Sequence, residues 1–235
     1  MVNLTQLKHL DLSHNKFSGT LPSDQLWNLK NLKFVDLGHN QLTGPILQSF
    51  DYMFNLTQLE YLDLSSNSLN GTLPSQLWSL KNLEILDLSH NWLTGPILQS
   101  FASMFNLTRL EYLDLSSNSL NGTLPSQLWS LKNLEILYLS HNQLTGPILQ
   151  SFASMFNLTR LKHLDLSHNK FSGTLPSQLW SLKNLEILDL SHNWLTGPIL
   201  QSFASMFNLT RLEYVDLSSN SLNGTLHLHC GVSRI

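Results

Sequence analysis

Residues 110–122 read LEYLDLSSNSLNG, and the fold follows from that stretch. Leu110, Leu113 and Leu115 alternate with polar residues around Asp114. Alternation with period two is the pattern of a half-buried strand. Asn118 falls where the strand ends and the backbone bends inward. Its amide offers both donors and an acceptor to the main-chain groups that such a bend leaves unpaired. The chain turns again at Asn-x-Leu-x-Gly, ending on Gly122.

One short strand cannot bury its apolar face alone, but stacked copies share a continuous core. The copies are present. The same asparagine recurs as Asn15, Asn40, Asn67, Asn91, Asn118, Asn142, Asn169, Asn193 and Asn220. The spacing settles into alternating 24 and 27 residues, so the underlying unit is a pair of repeats 51 residues long. Strands connected at this period lie parallel and side by side at about 4.8 Å, and the nine asparagines then form a structural ladder. The expected architecture is α/β: a right-handed solenoid of nine repeats with a curved parallel sheet. It fills residues 1–226 as a single domain without cysteine caps and leaves 227–235 as a non-repeat tail.

Two connecting segments alternate. GPILQSFASMFNLTRL at 95–110 places Leu98, Phe101 and Phe105 at helical spacing, as do Leu149, Phe152, Phe156 and Leu200, Phe203, Phe207. A helical turn with inward aromatics is expected there. GTLPSQLWSLKNL at 71–83 has Pro74, repeated as Pro125 and Pro176, which favours an extended entry into a short helical or irregular piece. Trp27, Trp78, Trp129 and Trp180 recur every 51 residues on this side and are expected to pack partly between coils. Trp92 and Trp194, just after the ladder asparagine, are expected to be exposed and able to stack on sugar or protein.

Nine copies of the repeat, four of them matching L-D-L-S-x-N-x-L-x-G in full as in LDLSSNSLNGTLP at 62–74, resemble the plant-type leucine-rich repeat. That type occurs in ectodomains of receptor-like proteins and receptor kinases and in polygalacturonase-inhibiting proteins. The resemblance implies a concave strand face that binds ligands, and in many members a second short sheet from the L-x-G-x-L-P portion. The chain departs from the family pattern in having no cysteine-bearing caps, and its copies are unusually alike: residues 63–86 recur unchanged at 114–137, and the next position is Asp87 in the first copy and Tyr138 in the second.

Composition narrows function. Charged residues are only 12% of the 235, and the net charge is −3. No basic stripe favours nucleic acid, and no apolar run approaches a membrane span. The opening MVNLTQLKHL lacks the pattern of a signal peptide. Cys230 is the single cysteine, so no internal disulfide forms. No cofactor motif, metal cluster or catalytic set emerges, and near-identical copies work against the unique residues an enzyme needs.

The candidate binding residues lie in two columns. Asp63, Asp87, Asp114, Tyr138, Asp165 and Asp189 form one, with Tyr138 as the break in a row of acids. The family's ordinary use of that aspartate, bonding nearby hydroxyls, is the preferred reading of the rest. His141, His168 and His192 stand in the next column, read as solvated imidazoles able to give a mild pH response. Eight N-x-T sequons fall in register at expected surface turns: Asn3, Asn55, Asn106, Asn157 and Asn208 in NLT, and Asn70, Asn121 and Asn223 in NGT. They fit an extracellular or cell-surface glycoprotein. The functional expectation is a non-catalytic recognition module with a protein or peptide ligand on the concave face. The alternatives are self-assembly through uncapped ends into filaments, and ice or polysaccharide binding by a regular polar array.

Overall fold

The computed structural model describes residues 4–21, 26–46, 55–97, 106–148, 157–199, 206 and 209–224. Among them the chain forms two parallel sheets of nine strands each. The first sheet runs through His9–Asp11, Phe34–Asp36, Tyr61–Asp63, Ile85–Asp87, Tyr112–Asp114, Ile136–Tyr138, His163–Asp165, Ile187–Asp189 and Tyr214–Asp216, in chain order. The second runs through Ser18–Thr20, Gln41–Pro45, Ser68–Thr72, Trp92–Pro96, Ser119–Gly122, Gln143–Pro147, Lys170–Gly173, Trp194–Pro198 and Ser221–Asn223. Each coil of the solenoid thus contributes one strand to each sheet.

The second sheet is the one that the family resemblance implied, at the place where the chain's own periodicity showed only one sheet and a turn. Ser68-Leu69-Asn70 also alternates, with Leu69 buried between two partly covered polar neighbours. The following Gly71 has φ +83°, which reads locally as a turn, yet the strand pairs with both neighbours. Pairing between coils, not local preference, makes it a strand.

The core is a leucine stack. The central residues Leu62, Leu86, Leu113, Leu137, Leu164 and Leu188 are in register and fully buried. Trp27, Trp78 and Trp129 are also fully buried and Trp180 nearly so, deeper than the partial packing expected of them. Each of the last three lies on a 3-10 helix, Ser75–Ser79, Ser126–Ser130 or Ser177–Ser181. These helices start after an extended proline, Pro74 having φ −74° and ψ 138°. The expected helical aromatics at 98–105, 149–156, 200 and 203–207, and the tail at 227–235, lie outside the described residues.

The asparagine ladder forms as expected. Asn142 Nδ2 donates to the carbonyls of Leu139 (3.2 Å) and Ser140 (3.2 Å) in its own coil and Leu115 (2.9 Å) in the preceding one. Its Oδ1 accepts the amide of Leu120 at 2.9 Å. One side chain therefore closes its own bend and joins two coils. Asn15, at the first coil, bonds only the carbonyls of Leu12 and Ser13 and is exposed. Replacing Asn142 by Ala strands buried main-chain groups and should cost about 2–4 kcal/mol, while Asn15→Ala should cost about 1 kcal/mol or less. Urea denaturation of both variants checks the contrast.

Glycines of the second sheet differ in the room around them. A Cβ at Gly95 (φ +86°) would sit 2.6 Å from Cγ2 of Thr72, whereas one at Gly122 (φ +83°) would meet Pro96 Cβ at an ordinary 3.6 Å. Gly122→Ala should therefore cost only the left-handed backbone, about 1–2 kcal/mol. Gly95→Ala should exceed it by about 1–3 kcal/mol through overpacking, again read from denaturation midpoints.

Candidate functional site: the exposed face of the first sheet

In a three-residue strand the first and third side chains share the outward face. The third position is the column of acids. Asp63, Asp87 and Asp114 are direct partners in register, as are Tyr138, Asp165 and Asp189. Tyr138 also pairs with Asp114, so it interrupts the row between two carboxylates. The aspartates have a structural task. Oδ1 of Asp63, Asp87, Asp114, Asp165 and Asp189 accepts the amide two residues on, at 2.7, 2.9, 2.8, 2.9 and 2.9 Å. Each closes the end of its strand through a main-chain amide, where a nearby hydroxyl was the expected partner.

Bonding and burial pull these carboxyls in opposite directions. Burial dominates at Asp87, pushing its pKa up to about 6 against the hydrogen bonds from Ser89, with Asp114 and Asp63 adding repulsion. Burial also raises Asp36 and Asp114. At the ends of the sheet the bonds win: Asp11 and Asp216 are held below the usual range by Ser13 and Ser218. A carboxyl raised in the folded state holds its proton longer folded than unfolded. Its contribution to stability is therefore greatest below the ordinary value of 3.8 and is lost as pH rises through about 6. Asp87→Asn keeps the acceptor for Ser89. It should leave the melting temperature unchanged below the ordinary carboxyl range and raise it above pH 6, which thermal scans across that interval test.

The first position was not anticipated. It carries His9, Phe34, Tyr61, Ile85, Tyr112, Ile136, His163, Ile187 and Tyr214 in one line. His9, Phe34 and Tyr61 stack with centroids 4.1 Å apart at each step. Tyr112 meets Tyr138 edge to face at 6.1 Å, and the Tyr138 hydroxyl is 3.0 Å from Nδ1 of His163. Tyr61 and Tyr112 donate weakly to Oδ2 of Asp63 (3.4 Å) and Asp114 (3.3 Å), and burial pushes both phenols well above their ordinary range. The signal existed in the sequence: from Tyr61 onward, the residue before each central leucine or valine alternates between an aromatic ring and isoleucine.

A third line borders the strands: Lys33 pairs with Glu60 at 2.6 Å, Arg109 with Glu84, and both Arg160 (2.9 Å) and Lys162 (2.5 Å) with Glu135. These pairs are substantially solvated, so each adds at most about 1 kcal/mol. Glu111, in the same line, is exposed and has no ion pair among the described residues.

His141, His168 and His192 sit beyond the sheet, in the bend before the ladder asparagine. Their φ values of 51–52° are left-handed. Their rings stack 4.0 and 4.1 Å apart. Burial and the two flanking imidazoles lower the pKa of His168. Parallel stacked rings do not converge on one point, and no cluster of metal-ligating residues occurs among those described.

The sequons divide. Asn70, Asn121 and Asn223 lie in strands of the second sheet and not in turns as expected. Asn55, Asn106 and Asn157 are partly buried at the foot of the connecting segments, and Asn3 and Asn208 lie outside the described residues. Trp92 and Trp194 are exposed, at 65% and 59%. An apolar cleft of about 360 Å³ opens at the first coils, lined by Leu10, Phe17, Leu21, Leu26 and Leu42. No helix among the described residues is long and apolar enough to cross a membrane.

Two stacked parallel sheets, an asparagine ladder and a leucine core define a leucine-rich-repeat solenoid. The chain belongs to the leucine-rich-repeat family: the family model matches residues 48–93, 100–144 and 151–195, and a model of two copies matches 5–51. Receptor-like protein 39 of Arabidopsis thaliana is 40% identical over 120 residues, which is 50% of this chain and 13% of that protein. The ectodomain of the plant membrane receptor kinase GASSHO1/SCHENGEN3 from Arabidopsis thaliana was solved in complex with Casparian strip integrity factor 2. It superposes with a TM-score of 0.84 at 38% identity, covering 94% of this chain and 25% of that one. A plant ice-binding protein superposes with a TM-score of 0.64 at 28% identity, covering 95% of this chain and 78% of that one. The chain thus spans only a small part of its receptor relatives.

Proposed function

We propose that the protein is a non-catalytic, extracellular recognition module that takes a protein or peptide segment along the exposed face of its first sheet. The carrying observation is the pair of parallel columns on that face. An aromatic and aliphatic line offers apolar area, and a line of carboxylates beside it offers polarity and charge. Aromatic anchors flanked by polar groups are the usual make-up of binding hot spots. The receptor-kinase ectodomain solved with its bound factor has the same scaffold.

Tyr138 is the centre of the proposed site. It replaces the repeat's aspartate, touches Tyr112 and His163, and stands between Asp114 and Asp165. Selection of a displayed random peptide library on the full chain should return binders, and Tyr138→Asp, which restores the repeat's own residue, should weaken them about 10–100-fold. Binders indifferent to Tyr138→Asp and to Tyr112→Ala would place recognition elsewhere.

A second reading has its own support. On the second sheet Thr20 pairs with Thr43 and Thr72 with Thr94, a repeated polar array, and an ice-binding protein shares the scaffold. Thermal hysteresis at millimolar protein supports it, and none at that concentration removes it.

A further inference from the structure

We infer that Asn70 carries an N-linked glycan whose first sugar packs on the indole of Trp92. Three coils present the same N-G-T tripeptide in the same strand of the second sheet. Their neighbours differ at one place. Asn70 lies in register between Pro45 and Trp92, and Asn121 between Pro96 and Gln143. Asn223 pairs with Pro198 at the end of the described sheet. Trp194 occupies the place of Trp92 four coils on, but its partner is Ser172, in the tripeptide S-G-T. Sequon and exposed tryptophan thus coincide once among the described strands.

The geometry suits a sugar. Leu69 and Leu93 point into the core, so Asn70 and Trp92 stand on the outer face of adjacent strands, about 4.8 Å apart. Asn70 is partly covered where Asn121 and Asn223 are exposed. Trp92 is 65% exposed, a large apolar surface left in water. The π face of an indole is electron-rich, and one face of a pyranose ring presents weakly positive C–H groups. Stacking the two removes apolar area from water on both sides.

The modification itself balances simply. Asn70 Nδ2 bonds to C1 of the first N-acetylglucosamine of a lipid-diphosphate-linked oligosaccharide. The C1–O bond breaks, the lipid diphosphate leaves with the electron pair, and the transferase takes the amide proton. The inference shares with the recognition reading only its passage through the secretory pathway, since the two sheets face different sides. A glycan at Asn70 would cover part of the threonine array.

The test is to secrete the chain from plant cells, map its glycopeptides, and measure melting before and after enzymatic deglycosylation. Asn70 should be occupied. The loss of melting temperature on deglycosylation should be about 2–4 °C greater in the wild type than in Trp92→Gln. Gln143→Trp should enlarge that loss through Asn121. The N-acetyl methyl proton on Asn70 should be shifted upfield by the indole relative to that on Asn121. An unmodified Asn70 overturns the inference. So does an occupied Asn70 with the same melting loss and the same methyl shift in Trp92→Gln. Neither result bears on peptide binding at Tyr138, which the library selection reads separately.

Discussion

Everything in this solenoid depends on the hydrogen bonds that one coil makes to the next. A three-residue strand has too few apolar side chains to hold a structure alone, and no coil has a core of its own. The buried asparagine amide solves the resulting problem at the bend. It satisfies its own coil's carbonyls while reaching a carbonyl and an amide of the coil before. The side chain is short and neutral, so it can be buried in a repeated row without the desolvation cost of a charge. Stability is correspondingly a sum over neighbours, and the first and last described coils, with one described neighbour each, are the more exposed ones.

The same stacking generates the surfaces. Because the coils are in register, any residue type repeated in sequence becomes a line in space. The aspartates become a row of strand-end caps, the histidines a stack of rings, and the residues before the central leucines a band of aromatics and isoleucines. Repulsion between neighbouring carboxyls and their burial are both consequences of that register, and they raise Asp87 while its counterparts at the ends are lowered. A difference in titration among chemically identical positions is thus set by place along the stack.

Nearly perfect repetition makes the exceptions informative. Tyr138 replaces one aspartate, Lys162 and Lys33 replace glutamates, and Trp92 and Trp194 alternate with Gln41 and Gln143. On a scaffold that hosts many functions, specificity rests with such departures. Two of them fall on separate sheets, so a ligand surface and a glycan-bearing surface can coexist without competing for the same face.

The sequence by itself determined the fold class, the repeat register, the asparagine ladder and the exposed Trp92 and Trp194. Those follow from periodicity, which is a local and countable property. It also marked Tyr138 as an exception. Periodicity read Leu-x-Gly as a turn and the family resemblance implied a second sheet there; the tertiary structure decided between them, because a left-handed glycine looks like a turn until its neighbours pair with it. The ring stack of His9, Phe34 and Tyr61 formed only there, since these residues are 25 and 27 positions apart and meet solely through the pairing of coils. The tryptophans of the 3-10 helices went deeper than expected for the same reason: their burial is supplied by adjacent coils. That Asn70 and not Asn121 stands beside a tryptophan is likewise a fact of strand register, fixed by hydrogen bonds between coils that no single repeat contains.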